Sequence, residues 1–517
     1  MTKELDLCDI QGNVVRAYGR FGFPIARYLL LNISNGDGGR QWLAALIPSI
    51  TTSATWSNAP DGLPRPKVTL NIAMTHAGLA ALDLPLESLN SFSTEFAMGM
   101  QKRKDILGDN GPSSPEHWDP VWRSDNDIHR AVHVLLTLNA VNREALEQQY
   151  NWVNDQILAT AGAVTLLDGH RAPNHNICPY QEAHIIFENG QPTPKEHFGY
   201  TDGIGDPYFE GIQDPRTRIE GRGKQMADGT WQPLATGEFL HGHLDEAREY
   251  PPAAAPILLS RNGTYMIYRK LHQNVASFDA LLAREGADYP GGSELMAAKF
   301  VGRWRDNGAP LVNAPTAASK QLWDADYAKA SPEQRDAMLS NFTYDDDMSG
   351  ARCPMSGHIR RLNPRASLEM KAGSCPGEFV RNAKAFETPG ALVNRRRILR
   401  RGLPYGDSSQ RDTDKGDHGV IMMMLNADIG RQYEFIQQQW VNYGNDFREA
   451  NDKDVILGNH SKHLPSSVVH AADPAGDAPP RFVRDIPLLV ETRGGDYFFV
   501  PSLTALRLIA RGLIDPT

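Results

Sequence analysis

The sequence predicts an α+β protein, because strand and helix patterns follow one another in the order of a ferredoxin-like unit. That order is strand, helix, strand, strand, helix, strand, and it occurs once between residues 26 and 187. A second series between residues 263 and 501 repeats the order more loosely. A connection rich in proline and glycine, residues 212–257, separates the two series. We therefore predict an N-terminal half, residues 1–211, and a C-terminal half, residues 258–517.

The first series begins with residues 26–33, an apolar run that ends in the turn formers of residues 34–39. This pattern predicts a buried strand followed by a turn. Leu146, Val153 and Ile157 recur at helical steps, which predicts an amphipathic helix over residues 142–161. The other predicted elements are helices over residues 39–48 and 76–82 and strands over residues 67–74, 131–138 and 182–187.

The second series is less regular than the first. It predicts strands over residues 263–271, 419–426 and 497–501 and helices over residues 275–284 and 429–443. Residues 289–418 show little regular pattern. A loop of that length in a compact protein is usually either functional or disordered, so we expect functional residues within it.

Composition excludes two broad classes of protein. The 517 residues are 41% hydrophobic and 22% charged, as in soluble globular proteins rather than disordered chains. The formal net charge is -9. Because phosphate binding requires a basic surface, we expect no nucleic-acid partner and favour small molecules or cations.

The start of the sequence gives no sign of export. Residues 1–10 contain Lys3, Glu4, Asp6 and Asp9 and lack the apolar core of a signal peptide. No run approaches the roughly 18 apolar residues of a membrane helix. Four cysteines in so long a chain do not form a disulfide framework. We expect a cytoplasmic protein with reduced thiols and no membrane partner, although export by a route that leaves no signal in this sequence stays open.

The segment expected to organise the site is residues 197–207, HFGYTDGIGDP. Its glycines permit sharp turns that bring other groups close to Asp202. An isolated Asp-Gly pair is more often a plain turn between two strands. Two further segments favour a functional interpretation: residues 353–365, CPMSGHIRRLNPR, and residues 398–406, ILRRGLPYG.

Together, and in this order, the three segments resemble those of the dye-decolourising (DyP-type) haem peroxidases. The resemblance extends from residues 9–13, DIQGN, to the helix at residues 428–440. It implies two ferredoxin-like halves with antiparallel sheets packed around one haem b per chain, as in a dimeric α+β barrel. It also implies reduction of hydrogen peroxide through a ferryl intermediate and one-electron oxidation of dye-like, phenolic or other small aromatic reductants. The oligomeric state stays open, with a homodimer as one option.

The resemblance assigns roles to individual residues. It implies that Asp202 is the distal acid, with Gly203 beside the cofactor, that His358 binds the haem iron, and that Arg400 is the distal arginine. Neutral imidazole binds ferric haem, and a carboxylate on its other nitrogen increases its basicity. Asp428 is the candidate for that carboxylate, or else it caps a helix.

The chemistry of peroxide suits these distal residues. Asp202 would accept a proton from one oxygen and return it to the leaving oxygen. Arg400 is permanently charged, so it suits negative charge on the leaving oxygen rather than proton transfer. The motif favours Arg400 over its neighbour Arg401. Arg360 and Arg365 flank the ligand segment, and each is either a partner of a haem propionate or part of a surface salt bridge.

Three further features of the sequence lead to predictions about the surroundings of the haem. The segment between His358 and Arg400 looks longer than the corresponding segment in the family, and residues 366–393 are the suggested insertion. Met422 and Met424 share one face of a predicted strand, for which core packing is favoured over contact with haem. Tyr405 is the candidate to relay electrons from bulky dyes at the surface, because it follows Arg400 by five positions.

Different functions are weaker possibilities that stay open. His243 and Asp245 have the spacing of a non-haem iron site, and Cys353, His358 and Cys375 could hold zinc. The first lacks a jelly-roll strand pattern and the second lacks a Cys-x-x-Cys pair. The haem site would also suit a non-enzymatic haem carrier or a haem oxygenase- or dechelatase-like enzyme. The distal acid and arginine argue against a carrier, because holding haem requires neither.

Overall fold

The computed structural model has one antiparallel sheet at its centre, with nine strands among the described residues. The described residues are 4–19, 22–57, 63–123, 127–172, 176–212, 218–372, 379–381, 390–461, 468–469, 479 and 481–515. In chain order, the strands of the sheet are β1 Ile25–Ile33, β2 Val68–Met74, β3 Val134–Ala140, β4 Val164–Leu166, β5 Gln181–His184, β6 Thr264–Gln273, β7 Leu399–Tyr405, β8 Gly419–Asn426 and β9 Val490–Val500.

The strand order shows two ferredoxin-like halves. Across the sheet it is β7-β8-β6-β9-β2-β3-β1-β4, and β5 also pairs with β1. Strands β1–β5 form one half and β6–β9 the other. Each half places its first strand between its third and fourth, which is the ferredoxin-like order. The predicted α+β fold with antiparallel sheets is confirmed.

The seam between the halves is reinforced by the N-terminal segment. Strands β9 and β2 pair there through Phe499 and Met74. The Gln11 side chain, 1% exposed, donates from Nε2 to the carbonyl oxygens of Ile72 and Pro501, both at 2.9 Å. Its Oε1 accepts the N–H of Ile72 at 2.9 Å. One buried amide therefore connects the backbone of both halves where strand pairing is short.

Helices cover the sheet and extend the C-terminal half. The principal helices are α1 Gly36–Leu46, α2 Arg143–Leu158, α3 Val275–Gly286, α4 Gly292–Val301, α5 Ala317–Lys329, α6 Pro332–Ser340, α7 His358–Leu362, α8 with its π-type segments Ile429–Glu434 and Ile436–Val441, and α9 Leu503–Arg511. Shorter helices are Gly12–Val15, His76–Ala81, Leu86–Asn90, Thr94–Met98, Lys104–Leu107, Ile257–Ser260 and Ala391–Asn394.

Small two-stranded hairpins lie in the loops outside the central sheet. Their paired strands are His170–Arg171 with Ile177–Cys178, Phe187–Glu188 with Gln191–Pro192, Lys224–Gln225 with Trp231–Gln232, Met370–Ala372 with Phe379–Arg381, and Val468–Val469 with Arg481–Phe482. The fourth hairpin belongs to the suggested insertion, of which residues 373–378 and 382–389 lie outside the described residues.

Helix α2 forms as its sequence predicts. The Asn142 side chain accepts the N–H of Ala145, which satisfies one of the unpaired donors at a helix N-terminus. The helix buries Leu146, Val153 and Ile157 on one face. Local capping and apolar spacing are sufficient to define this element.

The expectation that residues 289–418 carry little regular structure is wrong. Helices α4, α5, α6 and α7 and strand β7 all lie within this segment. Strand β7 has the sequence LRRGLPY. Its charged residues, glycine and proline interrupt the alternation of apolar and polar residues that is typical of a strand. Its Leu399, Arg401, Leu403 and Tyr405 are nevertheless buried together on one face. Tertiary contacts, rather than apolar composition, make this segment a strand.

The boundaries of the two halves at residues 211 and 258 stay predictions. None of the described helices combines the length and the apolar character needed to span a bilayer.

We predict that Gln11→Ala lowers the free energy of unfolding by about 1–3 kcal/mol, because it leaves buried backbone groups at the seam without partners. Urea unfolding followed by circular dichroism measures this change. Gln148→Ala on the exposed face of α2 is the matched control, with a change within about 0.5 kcal/mol. Equal stability of the two variants would contradict the role of Gln11 at the seam.

Candidate functional site

A cavity of about 320 Å³ lies against one face of the C-terminal half of the sheet. Because neighbouring residues on a strand point to opposite faces, only alternate residues of each strand reach it. The sheet residues that line the cavity are Arg269, Leu271 and Gln273 of β6, Arg400 of β7, Val420, Met422 and Met424 of β8, and Val490 and Thr492 of β9. The favoured interpretation of Met422 and Met424 as plain core packing is therefore incomplete, because both half-buried side chains line the cavity, although Met424 also packs against the hydrophobic core.

His358 lines the cavity as the first residue of α7 and is oriented by a buried carboxylate. Its Nδ1 lies 2.9 Å from Oδ2 and 3.1 Å from Oδ1 of Asp454. A carboxylate only accepts hydrogen bonds, so Nδ1 carries the proton and Nε2 keeps the lone pair that a metal needs. The arrangement fixes the tautomer of the neutral His358 ring and leaves Nε2 available to a metal ion.

Asp454 is held in its charged state by its surroundings. The N–H groups of Ile456 and Leu457 donate to its Oδ1 at 2.9 and 2.7 Å. Burial alone would raise the pKa of Asp454, but His358 and the N–H of Leu457 more than offset this and lower it below the ordinary value. An ionised Asp454 increases the electron density on the imidazole.

The assignment of Asp428 as the partner of His358 is wrong. Asp428 is the N-cap of α8, and its Oδ1 accepts the N–H of Arg431 at 2.8 Å. This is the second role that the sequence left open. Asp454 was missed because its sequence context, NDKDVI, resembles an exposed polar turn, and nothing local shows that the fold buries it.

Asp202 and Gly203 reach the cavity from the glycine-rich loop. The loop turns at Gly199, Gly203 and Gly205, with φ values of +93°, +75° and +74° that favour glycine. The N–H of Asp202 donates to Pro194 O at 2.9 Å, which anchors the residue at its backbone. Its side chain is 35% exposed and therefore accessible to a small molecule.

Arg400 faces the same cavity, 3.9 Å from Asp202 between Nη1 and Oδ1. Its Nη2 donates to Ile204 O at 2.9 Å, so the loop and β7 hold each other in position. Arg401 points to the opposite face of the sheet, where it donates to the carbonyl oxygen of Asn13 at 2.6 Å. Strand alternation thus separates the two arginines that the sequence places side by side.

Four other arginines line the cavity without a carboxylate within 4 Å among the described residues. They are Arg303, Arg365, Arg396 and Arg397. Burial lowers the pKa of Arg303 and Arg365 to about 10 and that of Arg397 to about 9. The charge of Arg365 lowers the pKa of Arg303 and Arg397 further. Buried cations that repel one another would be stabilised by an anionic group in the cavity.

The pairing of Arg360 with a propionate is wrong. Arg360 is fully buried outside the cavity lining, where its Nη1 donates to Asp347 Oδ2 at 2.9 Å. Its guanidinium stacks 4.3 Å above the ring of Tyr344. Arg365, in contrast, lines the cavity, and its predicted role as a propionate partner stays a prediction.

Neither non-haem metal site gains support. Oδ2 of Asp245 lies 3.1 Å from Nη2 of Arg395, and His243 contacts Asn262 through Nε2 at 2.8 Å. Cys353 is buried, and Cys375 lies outside the described residues. Within the described chain, no group of three histidine, cysteine or acidic side chains could hold a metal ion.

Tyr405 does not fit the surface relay expected of it. It lies on the face of β7 opposite to Arg400, because five positions along a strand reverse the direction of the side chain. The residue is 1% exposed, and the ammonium of Lys270 lies 4.7 Å above its ring. A bulky reductant at the surface cannot contact Tyr405 directly.

Comparison with known proteins adds independent information. A family model described as the DyP dimeric alpha+beta barrel domain matches residues 9–173. Peroxidase 2 of Mycetinis scorodonius is 27% identical over 525 residues, which cover 97% of this chain and 87% of the relative. The multifunctional dye peroxidase DyP2 of an Amycolatopsis species is 30% identical over 349 residues, 63% of each chain.

Solved structures are similar along the whole chain. An ancestral D-type dye decolorizing peroxidase superimposes with a TM-score of 0.72 at 25% identity, covering 98% of this chain and 99% of the other. A fungal DyP-type peroxidase from Auricularia auricula-judae has a TM-score of 0.70 at 22% identity, covering 98% and 100%. The second likeness is one of fold alone.

We predict that Asp454→Asn weakens binding of a haem iron by about 10–100-fold, because His358 loses its anionic partner. Asp428→Ala is expected to leave this affinity unchanged and to lower the free energy of unfolding by about 1 kcal/mol through loss of the helix cap. Titration of cofactor-free protein with haem, followed by absorbance, measures the first effect, and urea unfolding measures the second. Equal affinities of the two variants would show that Asp454 does not support His358.

Proposed function

The chain belongs to the dye-decolourising (DyP-type) peroxidase family and is a hydrogen peroxide-dependent oxidoreductase, and from this we propose how its site works. In the proposal, the protein would hold one haem b per chain through His358, and the bound haem would supply the redox chemistry for the reduction of hydrogen peroxide. The protein then oxidises dye-like, phenolic or other aromatic reductants by one-electron steps. The observation that carries the proposal is that His358 and the Asp202–Arg400 pair line one cavity, with the buried Asp454 hydrogen-bonded to His358.

The residues present fit a haem. His358 offers a neutral nitrogen ligand, as haem iron requires. Apolar side chains of β6, β8 and β9 provide surface for a macrocycle. The guanidinium groups of Arg303, Arg365 and Arg397 match the carboxylate geometry of propionates and would gain the anionic partner that they lack among the described residues.

Side chains of the protein would transfer the proton of peroxide and stabilise the negative charge that develops on it. Bound haem supplies the redox chemistry by accepting two oxidising equivalents. The carboxylate of Asp202 takes a proton from one oxygen of peroxide and returns it to the other. Arg400 stabilises negative charge on the departing oxygen, and it remains charged throughout.

A carrier or a dechelatase explains less of the cavity than a peroxidase does. A haem carrier needs His358 and the arginine cluster but has no use for an acid and an arginine 3.9 Å apart. A dechelatase-like enzyme would use the same haem site without requiring peroxide. Absorbance after addition of peroxide therefore separates the peroxidase from both. The cytoplasmic location stays a prediction, and the oligomeric state stays open.

We predict that the protein supplied with haem shows the absorption band of histidine-ligated ferric iron, and that one equivalent of peroxide changes this spectrum. A phenolic reductant is expected to restore it. His358→Ala is expected to lose most of the haem, because His358 is the protein's bond to iron in this proposal. His117→Ala, at an exposed site, is the control. An unchanged spectrum with peroxide would support a carrier, and normal haem content in His358→Ala would overturn the ligand.

The distal residues are expected to differ in the reaction with peroxide. Asp202→Asn should slow the spectral change by about 10²–10⁴-fold, because an amide cannot transfer the proton. Arg400→Leu should slow it by about 10²–10³-fold through loss of charge stabilisation. Stopped-flow absorbance measures both rates, with Asp228→Asn and Arg411→Leu as exposed controls. Rates equal to those of the wild type in both variants would show that this pair does not act on peroxide.

A further inference from the structure

Glu196 lies at the base of the loop that carries Asp202 and has no role in the chemistry described above. We name residues 194–202 the acid loop. It closes on itself through backbone bonds: Glu196 N–H donates to Tyr200 O at 3.0 Å, and Gly199 N–H donates to Glu196 O at 2.9 Å. Asp202 N–H completes the closure at Pro194 O.

The Glu196 carboxylate fills the inside of this loop. Its Oε2 accepts the N–H of Phe198 and its Oε1 accepts the N–H of Tyr200, both at 2.8 Å. The Nε2 of Gln273, at the end of β6, donates to Oε2 as well. One carboxylate thus holds three donors from the acid loop and the sheet.

Glu196 also lies at the wall of the site. Its half-buried side chain lines the same cavity as Asp202. Burial raises the pKa of Glu196, and the charge of Asp202 adds to this effect. The hydrogen bonds from Gln273, Phe198 and Tyr200 act in the opposite direction without cancelling it.

The other charged and titratable groups of the acid loop have partners outside it: Lys195 pairs with Glu188 at 3.3 Å, and Nε2 of the buried His197 lies 2.9 Å from Tyr405 O. A separate network surrounds Arg305. Arg305, beyond α4, lies 3.5 Å from Phe198 O through Nη1. It pairs with Glu294 of α4 and lies 3.8 Å from Asp279 of α3. Arg400 of β7 approaches Asp202 rather than the inside of the loop. The carboxylate of Glu196 is therefore the group whose protonation acts directly on the loop's backbone donors.

We propose that Glu196 is a positioning residue for Asp202: its carboxylate holds the acid loop against the cavity, and protonation of that carboxylate loosens the loop. A protonated carboxyl turns one accepting oxygen into a donor. It then cannot accept from Phe198, Tyr200 and Gln273 together. The inference rests on the proposed function, in which Asp202 must be held beside peroxide.

The direction of the pH effect follows from the environment of Glu196. An exposed glutamate takes up its proton near pH 4.3, roughly. Because the pKa of Glu196 is raised, loosening begins above that pH as the solution becomes more acidic.

Hydrogen exchange of the full-length protein, followed by mass spectrometry of a peptide that covers the acid loop, tests this inference. After correction for the intrinsic exchange rate, protection in the wild type is expected to fall by up to about tenfold as the pH is lowered from 7 to 4. Glu196→Gln, which keeps one accepting oxygen, is expected to show the low protection at both pH values. Glu196→Asp is expected to restore part of the pH dependence, because it keeps the charge on a shorter side chain.

Gln273→Met provides a second variant that leaves Glu196 in place. Loss of this donor raises the pKa of Glu196 further, so protection is expected to fall at a higher pH than in the wild type. Glu144→Gln, on the exposed face of α2, is the control and should behave as the wild type. With haem bound, Glu196→Gln should lower kcat/KM for peroxide and leave KM for the reductant unchanged.

The outcomes separate this inference from the proposed function. Protection that is independent of pH in the wild type, or normal protection in Glu196→Gln, would overturn the role of Glu196, whatever the activity. A wild type with no reaction towards peroxide would overturn the proposed function, yet the exchange measurement would still be interpretable because it requires no turnover.

Discussion

Strand alternation in the C-terminal half of the sheet is the constraint on which the site depends. Along β6, Arg269 and Leu271 face the cavity, while Lys270 between them faces the other side, where Asp119 lies 2.9 Å from its ammonium. The same rule brings Arg400 to the cavity and turns Arg401 away. A shift of one residue in the pairing of β7 with β8 would exchange these roles, since every side chain would change face.

The charges around the cavity fall into two groups with different consequences. On the back of the sheet, Lys270 has carboxylate partners, so its burial is compensated within the protein. Arg303, Arg365 and Arg397 at the cavity have no carboxylate partner among the described residues, and burial lowers the pKa of all three. Such an arrangement costs stability unless an anion occupies the cavity. Haem propionates would supply that anion, and so binding would stabilise the fold.

The three carboxylates of the site have different surroundings, and each environment suits a different role. Asp454 is buried against His358 and two backbone N–H groups, so it stays charged and orients the His358 ring. Glu196 accepts from the backbone of its own loop and holds that loop in shape. Asp202 is more exposed and can meet a small molecule. The burial and hydrogen-bond partners of each carboxylate, rather than its residue type, determine its role.

Local patterns in the chain were enough to predict the first ferredoxin-like half, because helix α2 and strands β1, β2 and β3 carry their own apolar periodicity. The motifs also named His358, Asp202 and Arg400, all of which line the cavity. Strand β7, the face of Tyr405 and the choice of Asp454 over Asp428 came only from the tertiary structure. Strand pairing and burial depend on residues that are distant in the chain. A polar segment such as NDKDVI therefore has the same local sequence pattern whether the fold exposes it or buries it.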